Sequence, residues 1–122
     1  MLLFEACLIL LFIKHVLCDF IWYSDRLRLK KEAYGDISGI RHAAIHGICT
    51  FLIFGIALLS GTIFALLLGA LDAILHYHFE WFRLHYGCKE TNNKLYWKHI
   101  GVLQLLHSLT YLMFVSIFIR ST

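Results

Sequence analysis

The residues best suited to chemistry are eight histidines in a chain of 122 residues that is 60% hydrophobic. Five of them, His15, His42, His46, His76 and His107, fall inside long apolar runs. They keep helical register with acids and amides: His15 with Asp19, His42 with His46, Asp72 with His76 and Glu80, and Gln104 with His107. Residues three or four apart share one face of a helix, so each set can aim at a common axis. Imidazoles and carboxylates pooled from facing helices are the donors that first-row transition metals take in helix bundles. The expected ligands are His15, Asp19, His42, His46, Asp72, His76, Glu80 and His107, holding one or two divalent ions of Zn, Fe, Mn or Ni. Asp19 or Glu80 is the expected general base, and His78 and Gln104 are expected to support the ligands from behind.

Other uses of these residues stay open. Ionisable groups in a bilayer are costly and mark function, and a chain of His and Asp also suits a proton relay or the lining of a pore. Hydrogen-bonded packing between helices is a third use. The sequence holds no Ser-His-Asp motif, no G-x-S-x-G and no phosphate loop, so covalent acyl transfer and nucleotide hydrolysis lose support. Cys7, Cys18, Cys49 and Cys88 show no C-x-x-C spacing, and the three in apolar runs, Cys7, Cys18 and Cys49, read as small buried residues. His85 and His99 fall at the rim, Lys14 neighbours the cluster and can snorkel, and Glu5 lies near the outer end.

The elements that must position this set are membrane helices. A soluble fold of this size has too little interior for so much apolar surface, so lipid must stand in for a core. Residues 1–122 read as one integral membrane domain, all-α, a four-helix transmembrane bundle with helices over about 2–22, 39–60, 62–84 and 96–119. The first helix lacks a basic leader and a cleavage site, and is expected to be retained. Ser60-Gly61 marks a tight hairpin, and Gly35 and Asn92-Asn93 mark the other turns.

Arg26, Arg28, Lys30, Lys31, Arg41, Arg83, Lys89, Lys94 and Lys98 share the face of the two long loops, against Arg120 alone at the other face. The positive-inside rule then puts both loops in the cytoplasm and both termini on the non-cytoplasmic side. Trp22, Trp81 and Trp97 mark the same boundary. Counted from it at about 1.5 Å per residue, the polar side chains all lie between about 3 and 15 Å deep. The segment Asp25 to Glu32 is expected to form a short interfacial helix. Its basic residues are mixed with acids and lack stacking aromatics, so nucleic acid is not an expected partner. Membrane lipid is, and self-association into a homo-oligomer is left open.

Four runs carry a resemblance: KHVLCDF (14–20), GIRHAAIHGICTFL (39–52), LDAILHYHFEWFR (71–83) and GVLQLLHSLTYL (101–112). In that order they resemble the motifs of a small uncharacterised polytopic membrane-protein family of bacteria and phages. Its pattern is His-x3-Asp-Phe, His-x3-His, His-Tyr-His-x-(Asp/Glu)-Trp and Asp-Gln-Leu-Leu-His. The resemblance covers nearly the whole chain and implies a bacterial cytoplasmic membrane location, phage-encoded or not. It marks His15, Asp19, His42, His46, His76, His78, Glu80 and His107 as the family's polar positions. The chain departs from the pattern at Leu103, where the family has Asp before Gln104, and at Glu80, where Asp is commoner. A weaker likeness is to His-rich polytopic proteins described as membrane-bound metal-dependent hydrolases. The leading expectation is therefore a metal-dependent hydrolase acting on a lipid or lipid-linked substrate. The alternatives are a small transporter, channel or proton relay, and a non-catalytic phage factor that modifies the host envelope.

Overall fold

The computed structural model describes residues 2–21 and 33–122, which form four helices with no strand among the described residues. Helix α1 spans Leu2–Val16 and runs on as a π-helical turn over Leu17–Ile21. Helix α2 spans Ile37–Leu52 and ends in a second π turn, Ile53–Ala57. Helices α3 and α4 span Thr62–Tyr86 and Lys94–Ser121. Trp22, the basic residues Arg26 to Lys31 and the interfacial helix expected over Asp25 to Glu32 lie outside the described residues.

The helix ends differ from the expected ones by a few residues because caps set them. The Asp36 carboxylate accepts the Ser38 N–H at 2.8 Å, and the Asn93 side chain accepts the Leu95 N–H at 2.9 Å. The expected hairpin is present. Leu59 and Gly61 both take positive φ (51° and 93°), and the Ser60 N–H and hydroxyl both donate to the Phe54 carbonyl.

The architecture is the expected all-α four-helix transmembrane bundle. Segments Ile37–Ile56, Thr62–Tyr86 and Lys94–Ser121 are each long and apolar enough to cross a membrane. Helix α1 is of similar length with its π turn, but carries Glu5, Lys14 and Asp19. Each helix packs against two others, in the cyclic order α1, α2, α3, α4.

The bundle is inside out by the standards of a soluble protein. Lys14, His15, His42, His46, Thr50, Asp72, His76, Glu80 and His107 are buried, while Ile9, Ile13, Ile48, Leu67, Ile74, Val102 and Leu105 are exposed. Along its axis the interior divides in two. The half nearer the termini is apolar, with Cys7, Leu11, Phe54, Ala65, Leu68, Phe114, Val115 and Phe118 packed together. The half nearer the long loops holds the acids and imidazoles. Between α2 and α3 two glycines set the spacing: a Cβ on Gly47 would stand 2.6 Å from the Gly69 carbonyl oxygen, and one on Gly69 would stand 2.7 Å from that of Gly47. Small residues of this kind let membrane helices approach closely. One position before Gly47 is His46, and its ring stacks on His76 of α3 at 3.6 Å between centroids.

Candidate metal centre

The centre is built around Asp19, which the π turn of α1 carries into the interior. Turns of this type re-aim side chains and recur at functional sites. Asp19 Oδ1 lies 2.8 Å from His46 Nε2, 3.0 Å from His42 Nε2 and 3.5 Å from His76 Nε2. Its Oδ2 lies 3.2 Å from His15 Nε2. Helices α1, α2 and α3 thus converge on one carboxylate. Helix α4 closes the ring with His107, stacked on His76 at 4.3 Å, and with Gln104, whose Oε1 is 2.7 Å from His15 Nε2.

Two groups of side chains bring ligand atoms within 4.8 Å of one another: His15, Asp19, His46 and His76, and next to them His76, Glu80 and His107. Both are geometrically able to hold a metal ion, and they share His76. The donor chemistry fits. Among the described residues neither ring nitrogen of His76 has a hydrogen-bond partner, although the residue is 1% exposed. The same is true of His46 Nδ1 and His107 Nε2. An unsatisfied buried polar atom costs about 1–3 kcal/mol, and a metal ion would take up an imidazole lone pair.

Charge balance gives a second indication. Glu80 is paired with Arg83 at 3.0 Å, and Asp72 with Lys14 at 2.5 Å. The ion-pair partners of Asp19 among the described residues are all imidazoles. A carboxylate held in a bilayer among imidazoles calls for a cation, either a metal or a proton on one of the histidines.

Two expected members of the set are placed elsewhere. Asp72 is one helical turn too deep to join the ligands. It accepts hydrogen bonds from Lys14 Nζ and the Thr50 hydroxyl instead, and so serves as the counter-ion of a buried lysine. His78 does not stand behind the ligands. It is exposed, on another face of α3, with Nδ1 2.7 Å from the Ile74 carbonyl oxygen and Nε2 3.1 Å from the Tyr34 hydroxyl. There it pins the loop before α2, whose Gly35 N–H also donates to the Tyr77 hydroxyl. His85 and His99 keep to the rim, the first stacked on Trp81 and the second accepting the Cys88 N–H. His42 contacts Asp19 but belongs to neither ligand group.

Sequence reasoning passed over Thr50 and Tyr111, and read Lys14 as a snorkelling neighbour of the cluster. Tyr111 OH lies 2.9 Å from His15 Nδ1 and accepts from Lys14 Nζ at 3.2 Å. With Lys14, Asp72 and Thr50 it extends the polar network from Asp19 and His15 toward the middle of the bundle. A signal for two of them was present: Thr50 continues the four-residue step of His42 and His46, and Tyr111 continues that of His107. Cys18 and Cys49 also come together, with sulfurs 3.9 Å apart across α1 and α2.

Two cavities open beside the centre. One, of about 240 Å³ between α1 and α4, has Asp19, Glu80, Arg83, Trp97 and Gln104 in its wall. The other, also about 240 Å³, lies between α3 and α4 and is lined by Phe79, Phe82, Arg83, Tyr86, Val102 and Leu106 among others.

No family model, no curated protein and no solved structure matches the chain.

Proposed function

We propose that the chain is a metal-dependent hydrolase of the bacterial cytoplasmic membrane, acting on an ester or phosphodiester of a lipid or lipid-linked substrate. The observation that carries the reading is His76, buried, shared by both ligand groups and, among the described residues, without a hydrogen-bond partner at either nitrogen. When bound, a divalent transition metal would act as a Lewis acid on water and on the substrate's phosphoryl or carbonyl oxygen. The ligands are His15, Asp19, His46 and His76 in one group and His76, Glu80 and His107 in the other. Both groups would offer the imidazole nitrogens and carboxylate oxygens that suit a divalent transition metal such as Zn, Fe, Mn or Ni.

The chain's own part is to place the substrate and move protons. Asp19 and Glu80 both face the cavity between α1 and α4, which supplies lateral access from the bilayer. One carboxylate would serve as a ligand and the other would take the proton of the attacking water. Water adds to phosphorus or to the carbonyl carbon, the ester bond to the leaving oxygen breaks, and the proton passes to that oxygen. The basic loop face lies in the cytoplasm under the positive-inside rule, so the centre sits beneath the inner leaflet. The resemblance to the bacterial and phage membrane family supports the same setting. Leu103, where that family has Asp, lines both cavities, so this member offers one carboxylate fewer at the site.

Elemental analysis of the detergent-purified protein tests the reading. One or two equivalents of transition metal per chain are expected, and loss on His76→Ala or His46→Ala. A folded, metal-free wild type would overturn it. In that event the continuous path from Asp19 through His15, Tyr111 and Lys14 to Asp72 favours a proton relay, which proton flux in proteoliposomes would reveal.

A further inference from the structure

Arg83 stands where α3, α4 and the acid–imidazole cluster meet. Its side chain is nine-tenths buried (9% exposed), unusual for an arginine in a bundle whose other face is lipid. One guanidinium nitrogen, NH2, donates to Glu80 Oε1 at 3.0 Å, and Nε has no hydrogen-bond partner among the described residues. An arginine carries five N–H donors in a planar fork suited to phosphate, so a single carboxylate contact leaves most of that capacity unused. Arg83 is also in the wall of both lateral cavities.

The two cavities differ in character. That between α3 and α4 is walled by Phe79, Phe82, Tyr86, Val102 and Leu106, and turns polar only at its loop end, where Arg83 and His99 stand. Phe82, Tyr86 and Val102 are well exposed, so the groove is open to the bilayer along its side. That between α1 and α4 leads to Asp19 and Glu80. An apolar groove that ends in a buried, under-used cation at headgroup level has the polarity of a phospholipid: acyl chain along the helices, phosphate at the end.

We propose that Arg83 anchors the phosphate of a bilayer phospholipid, with one acyl chain lying in the α3–α4 groove. The phosphate is thereby held beside Glu80 and at the mouth of the cavity that contains Asp19. This deepens the hydrolase reading by naming its substrate class, a phospholipid bound through its phosphate, and rests on that reading for the chemistry though not for the binding.

Native mass spectrometry of the full chain released from detergent tests the binding. The probes are dioleoyl phosphatidylglycerol and, at equal concentration, dioleoylglycerol, which has the same chains without a phosphate. The phosphatidylglycerol adduct should exceed the diacylglycerol adduct at least tenfold. Arg83→Gln should abolish the difference, Arg83→Lys should keep most of it, and Arg120→Gln, at the opposite end, should keep all of it. Val102→Trp fills the groove from a lipid-facing position and leaves the Glu80–Arg83 pair intact; it should lower phosphatidylglycerol retention severalfold. Equal retention of the two lipids by the wild type, or undiminished preference in Arg83→Gln, overturns the proposal. Should Arg83→Gln fail to fold, unchanged retention by Val102→Trp overturns it instead. Metal content measured on the same samples separates the two readings: selective lipid binding by a metal-free protein keeps this inference and removes the hydrolase.

Discussion

His76 and Asp72 lie one helical turn apart on the same face of α3, and the fold gives them opposite surroundings. His76 meets other rings and the edge of Asp19, with no hydrogen bond to its nitrogens among the described residues. Asp72 meets a lysine ammonium and a hydroxyl. Their substitutions should therefore separate. Asp72→Asn should leave metal content unchanged, yet lower stability in detergent by about 3–5 kcal/mol, because Lys14 keeps a buried charge without its counter-ion. Replacing both partners by apolar residues, Lys14→Met with Asp72→Leu, should recover much of that loss. His76→Ala should do the reverse and remove metal in a protein that still folds. Loss of metal on Asp72→Asn would return Asp72 to the ligand set. Register told the sequence reader that Asp72, His76 and Glu80 share a face, and that was right. It did not tell which of them lay level with Asp19, because that depends on Lys14 reaching across from a helix 58 positions away in sequence. A lysine in an apolar run is ordinarily read as snorkelling; here it points inward because Asp72 and Tyr111 are there to receive it.

At the scale of elements, the distance between α2 and α3 decides whether the imidazoles can meet. The mutual contact of Gly47 and Gly69 brings these helices together within one turn of His46, and the His46–His76 stacking follows from it. Gly47→Ala would place a methyl 2.6 Å from a backbone carbonyl oxygen that has no freedom to swing away. The expected result is a loss of about 1–3 kcal/mol by overpacking, together with reduced metal occupancy as the two rings are pushed apart. Gly101→Ala is the control, since a Cβ there meets nothing within 4 Å and stability should be unchanged or slightly raised. Thermal unfolding and metal analysis on the same preparations read both effects; a Gly47→Ala protein as stable and metal-rich as wild type would show that α2 and α3 can part without harm. The helices and the Ser60-Gly61 hairpin were legible, because span length and turn residues are local properties. The π turn that carries Asp19 was not, because an extra residue in a helical turn leaves no mark in the pattern of apolar side chains.

For the whole molecule, the distribution of polarity requires lipid. A protein that buries Lys14, Asp72, Glu80 and five histidines while exposing dozens of large apolar side chains would aggregate in water, whereas a bilayer reverses both terms. The acids and imidazoles are confined to the half of the bundle nearest the two long loops, so which side of the membrane those loops occupy fixes which leaflet the centre serves. The positive-inside rule predicts the cytoplasm. One native thiol and one introduced thiol make that testable. Cys88 is half-buried in the loop between α3 and α4, whereas Cys7 and Cys18 are buried within the bundle. A membrane-impermeant maleimide should leave Cys88 unlabelled in intact spheroplasts and label it in inverted vesicles. Ser121→Cys, placed in a Cys88→Ser background at the exposed end of α4, should show the opposite pattern. Labelling of both from one side would mean that α4 does not cross. A reversed pattern would keep the bundle and turn it over, and the centre would then face substrates of the outer leaflet.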